Sequence, residues 1–516
     1  MIDRILTVGG LTLVSRVTGF LRDVMLAAIL GAGPMADAFF VALRLPNHFR
    51  AIFGEGAFNA AFLPTYARIR EQNGAGPAQR FADRIFTLLM ASQVILLAVA
   101  LLFTPAVIAL LAPGFNNDPE RFALAVELTR ITFPYLLLIT LVTLLSGTLN
   151  ALHRFAAAAA APILLSLSMM TALAFAAFFP TAGHAAAWGV LMAGCLELAL
   201  VAADATRVNV MPKFRWPELD ADVRRFFRAL GPAVVGSAGV QLAVFADTII
   251  ASFLPTGALS ALSYADRLNQ LPIGVIGIAA GTVVLPEMSR RLAAGDRAGA
   301  EYAQNRAIEL TLLLSVPFVV AFFIVPELIM RAFFERGAFT AADAVASGRT
   351  LAAYAVGLIA FVLIRSVIAT FFARGDTSKP VKAALAAAVV NIALKFALVG
   401  SLAQVGLALA TSIGAWINLG LVIWFAARAG LLAFDAALKR SVIKIAAAGS
   451  ALAVVLWFGA DIVNGLFRDW TTLREMARLA ALALVGGAVY GGVAVALLGR
   501  GWFAAFRGPF PAPDRK

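Results

Sequence analysis

Charge is what this sequence is shortest of. Asp, Glu, Lys and Arg make up 14% of its 516 residues, against about 25% in a soluble globular domain, which leaves too little polar surface to cover a globule in water. With 61% hydrophobic residues and a mean hydropathy of +0.88, the chain belongs in a bilayer. Cysteine is almost missing. The single Cys195 excludes an internal disulfide and a cysteine-ligated metal centre. His48, His153 and His184 stand apart with no partner at ligand spacing, so metal chemistry has no support. Also missing are a glycine-rich phosphate loop, a catalytic triad, paired carboxylates and the acidic clusters of membrane enzymes that process polyprenyl lipids, and no enzymatic activity is expected. The start, MIDRILTVGG, runs straight into an Arg-containing apolar segment, which argues against a cleaved signal peptide.

Acids are scarcer than bases, giving a net charge of +13 and an isoelectric point near 10.5. In a soluble protein that excess would suggest nucleic acid. In a membrane chain it follows from the accumulation of Lys and Arg in cytoplasmic loops, and no nucleic-acid partner is expected.

Apolar runs of about 20 residues, the length that spans a hydrocarbon core of about 30 Å, recur from end to end and give an all-α polytopic membrane protein of about fourteen helices. Their expected bounds are 5–30, 35–63, 81–111, 123–152, 157–179, 185–205, 226–254, 259–285, 307–334, 351–373, 381–399, 405–427, 441–463 and 477–498. Alternate connections test that count. One set carries Arg68, Arg70, Arg80 and Arg84, then Arg154, then Lys213, Arg215, Arg224, Arg225 and Arg228, then Arg290, Arg291 and Arg297, then Arg374, Lys379 and Lys382, then Arg428, Lys439, Arg440 and Lys444. The opposite set, 31–34, 113–120, 180–184, 255–257 and 400–404, contains no Lys or Arg. Only the loops around Arg336 and around Arg468 and Arg474 break the pattern. The bias places both termini in the cytoplasm.

RDVMLAAILGAG at 22–33 resembles ADTIIASFLPTG at 246–257, setting Asp23 against Asp247 and Gly33 against Gly257. FLPTYARI at 62–69 likewise resembles VLPEMSRR at 284–291, setting Pro64 against Pro286. Two six-helix lobes follow, 1–215 and 216–430, sharing one orientation, then a final helix pair at 431–500 and a cytoplasmic tail at 501–516. Gly486, Gly487, Gly491 and Gly492 give the last helix a small-residue face for close packing.

The charges inside the apolar runs carry the chemistry. A charged side chain at the bilayer centre costs about 2.5–3.5 kcal/mol on insertion scales, so such residues should face a wet cavity or one another. Ser15 and Arg22 are seven apart, as are Arg16 and Asp23, while Arg22 and Asp23 point about 100° apart on a helix, which makes one broad polar sector. The next run holds Asp37, Arg44, Arg50 and Glu55, with Pro46 releasing a backbone carbonyl in mid-helix. The second lobe adds Asp266, Arg267 and Arg365. Guanidinium forks match phosphate oxygens and do not deprotonate, so an Arg surplus in a central cationic cavity asks for an anionic guest. Each Arg could instead serve in a buried salt bridge that fixes helix packing. Asp247, with Asn391 and Lys395 four apart on one face, is either an ion pair or an ion-coupling site.

SRVTGFLRD, the hairpin GAGPMADAFFVALRLPNHFRAIFGEGAFNAAFLP, YADRL and the LP-ending eighth helix closely resemble the MurJ/MviN family of lipid II flippases, in the multidrug/oligosaccharidyl-lipid/polysaccharide exporter superfamily. The resemblance extends over the whole chain. It implies fourteen helices in two lobes, with the final pair grooved for an undecaprenyl tail, in the bacterial inner membrane. The implied substrate is lipid II, the peptidoglycan precursor joined to that tail by pyrophosphate, and membrane lipids and cell-wall synthesis proteins are the other implied partners. The family's cavity arginines fall on Arg16, Arg22, Arg50 and Arg267, its important acids and serine on Asp23, Asp37, Glu55 and Ser15, and a basic residue of the tenth helix on Arg365. A sodium site of some members falls on Asp247, Asn391 and Thr411, but Lys395 stands where an acid would be expected, and its ammonium would replace the ion. No cofactor is implied. Alternatives are a flippase for another anionic polyprenyl-linked glycan, a cation-coupled drug exporter, and a scaffold for cell-wall assembly.

Overall fold

Long apolar sequence with few helix breakers folds as helix, since in hydrocarbon every backbone N–H and C=O must be satisfied within its own segment. The computed structural model describes residues 2–50, 57–470, 473–499 and 502, and the side chains of all of these except 2–7, 49, 57, 235–243 and 278–286. Among the described residues there is no strand. The helices are α1 (Ile2–Leu30), α2 (Pro34–Phe49), α3 (Ala57–Asn73), α4 (Ala75–Leu102), α5 (Thr104–Leu111), α6 (Pro119–Thr132), α7 (Tyr135–Ala151), α8 (Ala156–Ala174) and α9 (Ala182–Arg207). They continue with α10 (Ala221–Ser252), α11 (Ala258–Ala293), α12 (Arg297–Ile324), α13 (Pro326–Phe334), α14 (Ala341–Phe372), α15 (Ser378–Arg428), α16 (Ala436–Leu466) and α17 (Arg474–Leu498).

Nine stretches of the described residues are long and apolar enough to cross a bilayer, α6 and α7 counting together. Large apolar side chains on them are exposed, among them Leu484 at 75%, Leu102 at 74% and Leu466 at 73%. Surfaces of that kind are stable against lipid and not against water.

Three expected helices are broken. The expected helix 35–63 is described as α2 and α3, and residues 51–56 between them lie outside the described residues. The expected 81–111 divides at Phe103 into α4 and α5, with Pro105 in the first turn of α5. The expected 123–152 divides at Pro134, and 307–334 divides at Val325 just before Pro326. A proline has no N–H to give and clashes with the preceding turn, so each break falls where helical hydrogen bonding fails. The expected 381–399 and 405–427 are the two arms of α15, separated as expected by a non-helical kink, at Ala403 with φ +47° and ψ −130°.

By packing, the chain forms two units: Met1–Ser260 with Arg336–Phe339, and Ala261–Glu335 with Thr340–Lys516. The expected lobe boundary at 215 follows the sequence repeat, whereas packing assigns α10 to the first unit. The cause is an aromatic cluster in which Phe58 and Phe62 of α3 and Phe81 of α4 surround Phe226 of α10 at centroid distances of 5.6–6.5 Å. Each such ring pair adds roughly 0.5–1.5 kcal/mol beyond the area it buries. Arg68 also pairs with Asp222 at 2.7 Å, and Arg84 pairs with Asp220. In this unit α8 lies between α1 and α9. The second unit centres on α14, packed by α12, α13 and α15, with α16 and α17 paired beside α12. Of the four glycines on α17, only Gly486 seats α16, its missing side chain leaving room for Leu452 and Leu456. Gly487, Gly491 and Gly492 face open space.

Candidate functional site

In the first unit the charged sector of α1 forms as the seven-residue spacing predicts, with Ser15, Arg16 and Arg22 half-buried and Asp23 buried. Arg22 does not point away from its neighbour. Its Nε and Nη2 both donate to Asp23 Oδ1, at 3.0 and 2.7 Å, in a pair whose side chains are 12% and 9% exposed. The 100° between successive side chains on a helix is closed by the length of the Arg stem. Arg22 is thus ion-paired with its neighbour on α1, while no acid is paired with Arg16 among the described residues.

Asp37, 1% exposed, serves the backbone. Its Oδ1 accepts from Ser260 N at 2.9 Å and from the Ser260 hydroxyl, and its Oδ2 accepts from Gly257 N at 2.8 Å. Those amides belong to the opening turn of α11, so a side chain of α2 caps another helix, as an N-cap residue ordinarily does from within its own chain segment. Gly257 takes φ +91°, and a Cβ there would come within 2.7 Å of the Ala32 carbonyl oxygen. Arg121 of α6 completes the cluster, 3.5 Å from Asp37 Oδ2 and 3.4 Å from Asp118 Oδ2, with its guanidinium 4.1 Å from the centre of the Phe115 ring. Its place in an otherwise apolar stretch, RFALAVEL, was the available signal, and the sequence reading passed over it.

The carbonyl released by Pro46, that of Ala42, accepts a hydrogen bond from the buried Thr132 hydroxyl of α6 at 3.0 Å. Arg44 Nε donates to Thr248 Oγ1 at 2.7 Å, next to the half-buried Asp247 on α10. Arg50 closes α2 half-buried, and Glu55 lies outside the described residues. A further acid, Glu197 of α9, is 1% exposed and accepts from the Tyr135 hydroxyl at 3.4 Å. An acid inside the expected span 185–205 is the signal that the sequence offers for it.

The second unit holds the other candidates. Asp266 and half-buried Arg267 lie on α11, where Asp266 Oδ1 accepts from Gln270 Nε2 at 3.4 Å. Arg365 of α14 is exposed and lies across Gly277 of α11, where a Cβ would approach its Cδ to 2.7 Å. Ten residues separate Gly277 from Arg267, about 15 Å along the helix. Asn391, Lys395 and Thr411 all lie on α15, which folds back at its kink so that Asn391 meets Gly414, whose added Cβ would come within 2.9 Å. Lys395 is completely buried. An ammonium enclosed on the same helix face as Asn391 does not fit a sodium ion, because it places a positive charge where the ion needs acceptor oxygens.

A sequence profile described as lipid II flippase MurJ matches residues 26–477. The probable lipid II flippase MurJ of Rhizobium tropici is 38% identical, covering 100% of this chain and 99% of its own length. That of Rhizobium meliloti is 40% identical over 89% of this chain and 87% of its own. A solved lipid II flippase MurJ in an inward closed conformation superposes with a TM-score of 0.81 at 24% identity, covering 95% of this chain and 98% of that one. An inward-facing multidrug resistance MATE family transporter of the MOP superfamily gives 0.68 at 14% identity, covering 81% of this chain and 95% of that one. Those two structural likenesses bear on the fold alone.

Proposed function

This chain belongs to the lipid II flippase MurJ family, and on that premise we propose that it carries lipid II from the cytoplasmic to the periplasmic leaflet of the bacterial inner membrane by alternating access. It is a transporter of a membrane lipid and not an enzyme. The observation that carries the reading is the match of the family across residues 26–477. Arg16, Arg22 and Arg50, with Arg267 and Arg365, are the groups we assign to the pyrophosphate, whose oxygens their planar forks fit two at a time. Arg22 arrives there already paired with Asp23, so it serves as a fixed dipole beside the less compensated Arg16. The sugar-peptide head travels in water-filled space and the polyprenyl tail stays in hydrocarbon.

Both termini lie on the cytoplasmic side in this reading, supported by the Lys- and Arg-rich loops. Negative charge moving outward across an inside-negative membrane gains about 2.3 kcal/mol per charge per 100 mV, enough to drive the cycle without ATP. Dissipating the potential in cells that depend on this chain is expected to slow appearance of lipid II headgroups outside, and an unchanged rate would remove the potential as the driving force. Complementation tests the reading itself. The wild-type chain should rescue cells depleted of their lipid II flippase, whereas Arg22→Ala and Arg267→Ala should fail at equal membrane abundance. Rescue by both variants would show that these arginines do not carry the substrate.

A further inference from the structure

Two connections break the alternation of basic and base-free loops, one around Arg336 and one around Arg468 and Arg474. Bases on the outer side run against the bias that sets topology, so each such placement asks for a reason of its own. In the second unit α13 ends just before the first of these connections, α17 begins at the end of the other, and the two helices pack together. Where they meet the end of α12 lies a cavity of about 400 Å³, whose charged lining is Glu327 and Arg331 of α13 and Glu475 and Arg478 of α17. Arg478 Nη1 donates to both Glu475 oxygens, at 3.0 and 2.8 Å, so those two charges are spent on each other. The two on α13 are not. Glu327 stands four residues before Arg331, the favourable order for an ion pair on a helix. Arg331 nevertheless turns its Nε to Glu335, at 3.7 Å and beyond hydrogen-bond distance. Glu327 has neither an ion pair nor a hydrogen bond among the described residues. Phe323, which also lines the cavity, is 59% exposed, and Leu473 at the head of α17 is 62% exposed, so the cavity opens beside apolar surface.

We propose that this cavity holds the headgroup of a phosphatidylethanolamine molecule, its phosphate on the terminal nitrogens of Arg331 and its ammonium on Glu327. A carboxylate and a guanidinium left open side by side call for a guest that carries both charges. Residues four apart on a helix have Cβ atoms about 5–6 Å apart, a span that the two-carbon bridge between phosphate and ammonium covers. The guanidinium fork takes two phosphate oxygens at once, and an ammonium gives the carboxylate charge-assisted hydrogen bonds. Phosphatidylcholine has no N–H to give Glu327, and phosphatidylglycerol would set an anion against it. The Glu475–Arg478 pair forms the α17 wall, and the acyl chains leave past Phe323 into hydrocarbon. The outer leaflet as the source of this lipid rests on the topology proposed above, whereas the chemistry of the site does not.

The test is binding of radiolabelled phosphatidylethanolamine to the delipidated full-length chain in detergent, with unlabelled lipids as competitors. Unlabelled phosphatidylethanolamine should displace the label at about one-fifth of the concentration that phosphatidylcholine or phosphatidylglycerol requires, the most that one part-exposed ion pair ordinarily contributes. Glu327→Gln should weaken binding of the label about fivefold and abolish its advantage over phosphatidylglycerol, a change of preference that loss of a purely structural residue would not bring. Arg331→Gln should weaken all three lipids alike, since each carries a phosphate. Equal competition by the three lipids against the wild-type chain overturns the proposal. So does an unchanged preference in Glu327→Gln at an unaltered melting temperature, which would put the lipid elsewhere. Should Glu327→Gln fail to fold, Arg331→Gln decides: weaker binding of the label supports the site and unchanged binding overturns it. Transport of lipid II enters none of these measurements, so their failure leaves the proposed function standing. A reversed topology would move the site to the inner leaflet without altering its preference.

Discussion

Thr132 illustrates how much of a membrane protein's polar chemistry is repair. Pro46 lies inside α2, and the carbonyl it orphans at Ala42 is met by one hydroxyl from another helix at 3.0 Å. A buried acceptor without a partner costs about 1–3 kcal/mol. Thr132→Val keeps the shape and deletes the donor, so it should lower thermal stability by an amount in that range, read as a loss in the melting temperature of the purified protein. Thr132→Ser should restore most of it. Asp37 does similar service on a larger scale, since one carboxylate satisfies two amides of the opening turn of α11 and approaches Arg121. A role in helix capping is compatible with a role in transport, but a loss of activity on substituting Asp37 must be read against the loss of that cap. At positions such as Arg22 the spacing along the sequence identified the polar sector, and only the flexible length of the side chain decided that the charge is spent on its own neighbour.

The helices show where sequence is informative and where it is not. Length and hydropathy identified every long apolar segment, because the bilayer imposes a length that is legible one residue at a time. Three breaks, at Phe103, Pro134 and Val325, were not foreseen. At Pro134 and Pro326 the proline was visible, but whether it ends a helix or only bends it depends on which neighbours can take up the freed groups, and those are set by packing. Between Gly400 and Gln404 the expected separation of two helices is present, made by a single non-helical residue, Ala403. A positive φ is costly for alanine because its Cβ crowds the following carbonyl, and glycine has no such contact. Ala403→Gly is therefore expected to raise the melting temperature slightly, by the equivalent of about 1 kcal/mol. A fall would show that the kink is held by packing rather than tolerated. The assignment of α10 by packing was out of reach for another reason. Phe58, Phe62, Phe81 and Phe226 lie far apart in sequence, and nothing in an apolar run says which other run it will touch.

At the level of the whole chain, the alternation of basic and base-free connections makes a topology that can be read directly. A cysteine introduced at Pro180, or at Gln404 beside the kink of α15, both in connections without Lys or Arg, should react in intact spheroplasts with a membrane-impermeant maleimide. One introduced at Glu218 or Ser378 should react only after permeabilisation. Reversal of that pattern would invert the direction of transport proposed above. The arginines of the first unit were legible as a group because charge inside a span is conspicuous. Glu197 is equally conspicuous, but its hydrogen-bond partner Tyr135 lies on another helix, which no pattern along the sequence reveals. The solitary sulfhydryl of Cys195, exposed and two positions from Glu197, gives this chain one native attachment point on α9. A nitroxide or fluorophore fixed there, without any engineered residue, would track that helix through a turnover cycle. A second probe placed elsewhere would convert it into a ruler, so the near-absence of the most reactive amino acid becomes an experimental convenience.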